Sequence, residues 1–205
     1  MQPVPEFARI DSNIAIWHGY DPAVRAELYS TSLTTSGGIY LIDPILLQKQ
    51  ALDELIGSSR VAGIVVTNSN HHRAAAQFAE QFAVPIFAHA ETFSDEQPGK
   101  LKQVVDGEEI CDGLRAISVD GAVSGEIVLH YADEEGTMIT GDALINFQPY
   151  GFTFLPAKYC SNQKQMRRSL RKLLVNKAER LFFAHGTPIV SKASERLRGV
   201  LDSEL

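Results

Sequence analysis

The stretch VVTNSNHHRAAAQFAEQF, residues 65–82, changes character twice. An apolar run stops at Thr67, polar residues and two adjacent histidines follow, and an alanine-rich segment begins after Arg73. Ala75, Phe78, Ala79 and Phe82 recur at helical spacing and share one face. The stretch therefore reads as a buried strand, a polar turn and an amphipathic helix from about residue 71. Histidines at such a turn suit either a metal site or an ordinary helix N-terminus.

The surrounding sequence extends the pattern. Upstream, "IAIWHG" (14–19) and "LYSTSLTTSGGIYLIDP" (28–44) read as strands broken by a Gly-Gly turn. "ILLQKQALDELIG" (45–57) fits a helix with Leu47, Leu52, Leu55 and Ile56 on one face and Gly57 to end it. Downstream, "VPIFAHA", "LRAISV", "EIVLHY" and "TMITGD" read as strands, with a turn at "ADEEG" (132–136). A helix is expected from about Asn162, with Gln165 placed for a capping box and Met166, Leu170, Leu173 and Leu174 as its buried stripe. "LFFAHGTP" and "SKASERLRGVL" give a last strand and a last helix. Strands and helices mix in both halves, which predicts a layered α/β (α+β) fold. The 205 residues suffice for one domain over 1–205 with a sizeable core.

Composition narrows the function classes. Hydrophobic content of 44% and charged content of 21% are those of an ordinary globular protein. A formal net charge of -6 argues against nucleic acid as the main partner. No apolar stretch is long enough to cross a membrane, and "MQPVPEFARIDSN" has no basic patch followed by an apolar run, so no secretory leader and no membrane partner are expected. Cys111 and Cys160 fit no zinc or redox spacing, which suits a reducing cytoplasm.

Four apolar runs end on polar residues: "IYLI" on Asp43, "GIVVT" on Asn68, "TMITG" on Asp142 and "LFFA" on His185. Taken singly, Asp43 before Pro44 and Asp142 after Gly141 are good turn residues, and His185 before Gly186 reads as the chain leaving the core. Ligands of α/β sheets bind beyond strand ends, so the repetition favours a shared pocket.

In order and surroundings these pieces resemble the metallo-β-lactamase fold. That family has an "LID" strand end, a strand running into T-H-x-H-x-D-H at a helix start, a G-H-T-P-G segment, a strand ending in G-D, and a late strand ending in a histidine before glycine. The matching pieces here are "YLIDP", "TNSNHHR", "GAVSGE", "TGDAL" and "AHGTP", in the same order across roughly residues 30–190. The resemblance implies a four-layer αββα sandwich, two mixed sheets face to face with helices outside.

It also implies a damaged metal motif. The family's first two histidines fall on Asn68 and Asn70, its aspartate on His72, its next histidine on Arg73, and the histidine of G-H-T-P-G on Ala122. Only Asp142 and His185 are unchanged. A dinuclear zinc centre is therefore not expected. His72, Asp142 and His185 remain as a set for one divalent ion (Zn, Mn or Fe), with open positions for water. Arg73 stays protonated, repels a cation, and suits pairing with Asp142 or with an anionic ligand. His71 lies between ligand positions and is expected to point away from His72, unless an irregular turn brings it to the pocket; with Asn68, Asn70 and Arg73 it is a candidate binding residue. Asp142 and His185 are candidate catalytic residues, and Asp43 is a candidate to orient water. His18, His89 and His130 read as structural. The basic face Lys164, Arg167, Arg168, Arg171 and Lys172 reads as a solvated helix face. "NFQPYGFTFLPAKYC" (146–160) either walls the pocket with aromatic surface or packs under the next helix.

Two functions compete on this reading, beside a third class, an interaction protein in which the fold has only a structural role. One is a mononuclear metal-dependent hydrolase of a small ester, thioester or phosphoester. The other is a non-catalytic relative that binds a small anionic or polar ligand in the same pocket at a helix N-terminus.

Overall fold

Successive side chains of a strand point to opposite faces, and here that alternation sorts the apolar residues into three layers. The computed structural model describes residues 1–94, 98–133 and 135–203. Its first half is a seven-stranded sheet in sequence order: β1 (Ala8–Arg9), β2 (Ile14–Asp21), β3 (Ala26–Thr35), β4 (Gly38–Ile42), β5 (Val61–Val65), β6 (Ile86–His89) and β7 (Leu101–Val104). The first four strands are antiparallel neighbours and the last four run parallel. Helices α1 (Lys49–Ile56) and α2 (Ala75–Phe82) make the β4–β5 and β5–β6 crossovers.

The second half adds β8 (Glu109–Cys111), β9 (Leu114–Ser118), β10 (Ile127–Tyr131) and β11 (Thr137–Thr140). The hairpin β12 (Leu144–Phe147) and β13 (Gly151–Phe154), helix α3 (Gln163–Leu170), β14 (Arg180–Phe183) and helix α4 (Ala193–Asp202) follow. The second sheet runs β14-β11-β10-β9-β8, with β14 parallel to β11.

In β4, Ile39 and Leu41 pack toward Leu52, Leu55 and Phe78 of the first helix layer. Tyr40 and Ile42 face the other way, onto Ile127, Leu129, Ile139 and Phe182 of the second sheet. Val128, Leu181 and Phe183 turn out of that sheet onto Met166, Leu170 and Leu197 of the second helix layer. Each fully buried Leu, Ile or Phe contributes roughly 1.5–3 kcal/mol by transfer from water, so register in both sheets is set by these faces. The result is the four-layer αββα sandwich that the motif order implies.

Two helices begin later than the periodicity predicts. Residues 46–48 are extended because the N-terminal segment pairs with them: Val4 N–H donates to Leu46 O at 2.8 Å and Gln48 N–H to Val4 O at 2.8 Å. Leu47 is buried there, outside α1. The helix expected from about residue 71 begins at Ala75, because Arg73 has φ +40, outside the helical region. Asn162 caps α3, its Oδ1 accepting from Gln165 N–H at 3.1 Å, but the expected capping box is only half formed, since Asn162 N–H donates to Gly121 O at 2.8 Å; α3 stops at Leu170 and a 3₁₀ turn, Arg171–Val175, carries the stripe on to Leu173. The turn expected at "ADEEG" includes Glu134, outside the described residues; Gly136 N–H does donate to Asp133 O at 3.2 Å. No helix among the described residues is long and apolar enough to cross a membrane.

The aromatic segment divides. Phe152 packs edge-on against Phe183, and buried Phe154 lies under the Arg167 guanidinium. Phe147 and Tyr150 stand exposed at the hairpin tip.

Candidate metal centre

Each strand end delivers one polar group. After β4 the chain turns at Asp43, φ +46, and sends the carboxylate inward. Asp43 Oδ1 accepts from Thr67 N–H at 2.8 Å, and Oδ2 accepts from the Thr67 hydroxyl at 2.5 Å. The same Oδ2 lies 2.9 Å from His71 Nδ1. His71 is only 2% exposed and stands between two carboxylates, since its Nε2 is 3.1 Å from Asp142 Oδ1. His185, after β14, puts its Nε2 3.2 Å from that same oxygen. Its Nδ1 lies 3.1 Å from Glu27 O.

The hydrogen bonds at Nδ1 decide what Nε2 can do. Both Nδ1 atoms face oxygen acceptors, a carboxylate at His71 and a backbone carbonyl at His185, so in the neutral rings both carry the proton there. Both Nε2 lone pairs then point at Asp142. Three electron-rich atoms cannot share that space unless a proton or a cation lies among them. His71 Nε2 is buried and lacks a hydrogen bond, despite its short distance to Asp142. Ligating atoms of His71, Asp142 and His185 all lie within 4.8 Å of one another. A tetrahedral site with ~2 Å bonds has ligand atoms about 3.3 Å apart, close to the two spacings to Asp142. The Asp43–His71 pair is the carboxylate behind a ligating imidazole that fixes its tautomer. The donor set fits one divalent ion.

Without an ion, protons take its place. Burial disfavours the charged ring of His71, but the carboxylates of Asp142 and Asp43 outweigh it and raise its pKa to about 9. Burial likewise opposes ionisation of Asp142, yet His71 and His185 hold its carboxyl well below the ordinary value. Asp43 is also held low, against burial, by His71, Arg73 and Thr67.

The other candidate residues fall into place around this trio. His72 is turned away: its Nε2 is 2.7 Å from Thr92 O and its ring lies flat on Phe93, centroids 4.2 Å apart. The set expected as His72, Asp142 and His185 is thus His71, Asp142 and His185 in the structure. The physical reason is the turn, which is not yet helical and directs residues 71 and 73 inward and 72 outward. Asn70 is exposed and donates to Asp142 Oδ2 at 3.1 Å. Asn68 is fully buried and donates to Glu126 Oε2 at 2.6 Å. Glu126, not singled out by the sequence, accepts from Ala143 N–H at 2.9 Å; burial, with help from Asp142, pushes its carboxyl up to about 8. Its only signal in the sequence is an acid at the head of a buried strand. Ala122 is packed among apolar residues, including Met166. Where the family's first metal position falls, this chain has an amide–carboxyl pair and a core methyl group.

Arg73 does not pair with Asp142 as expected. Its guanidinium donates to Tyr29 O at 2.5 Å, Asp43 O at 2.9 Å and Ala184 O at 3.4 Å. It ties the carbonyls of three strand segments, β3 and those following β4 and β14, across the two sheets. Asp43 has both carboxylate oxygens committed and is 2% exposed, so it positions His71 and is not free to orient water. His18 stacks on Tyr29, His89 caps the turn at Glu91, and His130 bonds Lys177 O, all away from the trio.

Gly141 explains how tightly Asp142 is delivered. A Cβ there would lie 2.6 Å from Thr67 Oγ1, 2.8 Å from Asn68 Nδ2 and 2.9 Å from Glu126 Oε1. Gly141→Ala is expected to lose about 1–3 kcal/mol of stability by overpacking, read as a lower denaturation midpoint at unchanged m-value. An unaltered midpoint would show that this wall yields.

Comparisons with known proteins agree with this architecture. A family model described as the metallo-beta-lactamase superfamily matches residues 8–204. The solved structure of DIM-1 metallo-beta-lactamase superposes with TM-score 0.76 at 13% identity, covering 98% of this chain and 100% of that one. A metallo-beta-lactamase from Pontibacter korlensis gives TM-score 0.73 at 15% identity, covering 97% and 99%. A metallo-beta-lactamase family protein from Thermus thermophilus gives 0.68 at 19%, covering 95% and 79%. At these identities the likeness is one of fold. No curated protein matches. With the family model spanning nearly the whole chain and every motif in order, the protein belongs to the metallo-beta-lactamase superfamily.

Proposed function

We propose that the chain is a mononuclear metal-dependent hydrolase of a small ester, thioester or phosphoester. The observation that carries this reading is the convergence of His71, Asp142 and His185 with both imidazoles presenting Nε2 to one carboxylate oxygen. When bound, a divalent ion supplies Lewis acidity toward a carbonyl or phosphoryl oxygen and toward water. The remaining work falls to the protein. Asp43 and Thr67 hold His71 in one tautomer and orientation. Glu27 O does the same for His185. The His185 side chain, 18% exposed, and exposed Asn70 mark the open side, where the Asn70 amide can reach a substrate oxygen. Arg73 keeps a fixed positive charge beside the site, suited to an anionic group or developing negative charge.

The test is hydrolysis of chromogenic acetate, thioacetate and phosphodiester substrates with added Zn, Mn or Fe. Metal-dependent turnover is expected on at least one. In Asp43→Asn, metal affinity should fall about 10–100-fold, the usual effect of loosening the group behind a ligating histidine. Full affinity in that variant would separate Asp43 from the metal.

The second reading, a non-catalytic binder of a small anion or polar ligand, is favoured by the metal-free charge balance. Protonated His71 and Arg73 neutralise Asp43 and Asp142 with no ion present. A folded protein that takes up no metal and turns over no substrate would select it.

A further inference from the structure

Residues 143–178 hold seven lysines and arginines and no aspartate or glutamate, in a chain whose formal net charge is -6. So strong a local excess sets up a positive field on one part of an acidic molecule. Part of it is committed elsewhere: Arg171 pairs with Asp202 and Arg167 lies on Phe154. Lys164, Arg168 and Lys172 are different. They stand four residues apart on α3 and the 3₁₀ turn that continues it, so about 6 Å of helix axis separates successive charges. Like charges at that spacing work against a helix, and α3 relies instead on its buried face, Met166 and Leu170.

These three cations line a cavity of about 340 Å³ with Asp120, Asn162 and Gln165. Its floor is fixed by Ser169, whose Oγ donates to Ser118 O at 3.4 Å and accepts from Asp120 N–H at 3.1 Å. Lys172 has Asp106 at 3.4 Å. Lys164 and Arg168 have no acidic partner among the described residues. The cavity shares no residue with the His71–Asp142–His185 cluster, so it stands apart from the hydrolase reading.

We propose that this groove binds a small molecule carrying two or more phosphate groups. Lys172 is shared with Asp106, so three cations against the carboxylates of Asp120 and Asp106 leave a charge of +1, carried by Lys164 and Arg168 at the cavity and complementary to the phosphate groups of a di- or oligophosphate. The Arg168 guanidinium suits two phosphate oxygens at once, and the lysines serve as point charges. Asp120 and the amides of Asn162 and Gln165 match hydroxyl groups on whatever the phosphates are attached to. The volume lies in the small-molecule range, and three charges span too short a track to hold a nucleic-acid strand.

The test is calorimetric titration of inorganic tripolyphosphate into the full chain at about 0.15 M salt, where surface charges are screened beyond roughly 8 Å. One equivalent is expected to bind with Kd below about 1 mM. The double variant Lys164→Glu, Arg168→Glu should weaken binding at least ~100-fold, because it reverses two charges; both residues are exposed, and a thermal melt confirms the fold. His185→Ala should bind as the wild type does, which excludes phosphate captured by the metal centre. Absence of saturable binding, affinity unchanged by the charge reversals, or loss in His185→Ala would each overturn the proposal. So would tighter binding of a single-stranded oligonucleotide than of tripolyphosphate.

Discussion

His71→Ala is expected to empty the metal site and to destabilise the protein by about 3–5 kcal/mol, the cost of removing one partner from a buried charged pair. The loss is large because two carboxylates, Asp43 and Asp142, are left facing each other's charge in a buried cavity. His72→Ala should leave metal content unchanged, since that ring rests on Thr92 and Phe93. Elemental analysis and denaturant titration of the two variants check both statements. Metal lost in His72→Ala and kept in His71→Ala would reverse the assignment.

The same residue fixes a pH dependence. In chelator-treated protein the pKa of His71 is raised to about 9, against roughly 6.5 in an unfolded chain. Its contribution is fully present below about pH 6.5 and is lost as pH rises through 9, because only the folded state still holds the proton in that window. A shift of this size corresponds to roughly 3 kcal/mol. The stability gap between wild type and His71→Ala should therefore narrow between pH 6.5 and 9. Metal competes for the same Nε2, so metal affinity should rise over that interval with release of a proton. A gap that widens with pH would contradict the protonation argued for His71.

Arg73→Met should have the second-largest effect, in two opposite directions. Three carbonyls, of Tyr29, Asp43 and Ala184, lose their charged donor. Hydrogen bonds to charged groups contribute about 1.5–3 kcal/mol each, less what water recovers, so a loss of about 3–5 kcal/mol is expected. For a chain of this length that is a Tm lower by roughly 6–20 °C. Metal affinity should change the other way. A fixed cation beside the site opposes a divalent ion, and its removal is expected to tighten binding about tenfold or more at an effective dielectric near 20. Chelator competition measures this. Unchanged affinity would mean that the three carbonyls already neutralise Arg73.

Much of this is legible in the sequence. The succession of strands and helices along the chain follows from the apolar runs and helical spacing, the sandwich from the order of the family's motifs, and the burial of Asp142 at a strand end from polar residues closing apolar runs. Asp142 and His185 stand out because each follows a strong strand. The choice between His71 and His72 is not legible. Slot-by-slot matching to T-H-x-H-x-D-H favours His72, but the side that faces inward is set by the backbone of residues 68–74, and a positive φ at Arg73 cannot be read from periodicity. The late starts of α1 and α2 have the same origin. Long-range bonds, Val4 to Leu46 and Arg73 to three strand segments, override local helix preference. Glu126 gives little signal because its partner Asn68 lies far away in sequence. The short strands β7, β8, β12 and β13 are half-exposed and carry little alternation.

The most direct measurement is metal stoichiometry after dialysis without chelator, on wild type and Asp142→Ala. One divalent ion per wild-type chain and none in Asp142→Ala is the expected result, because Asp142 is the carboxylate both Nε2 atoms face. Two tightly held ions per wild-type chain, or one ion that survives in Asp142→Ala, would contradict a single centre built on His71, Asp142 and His185.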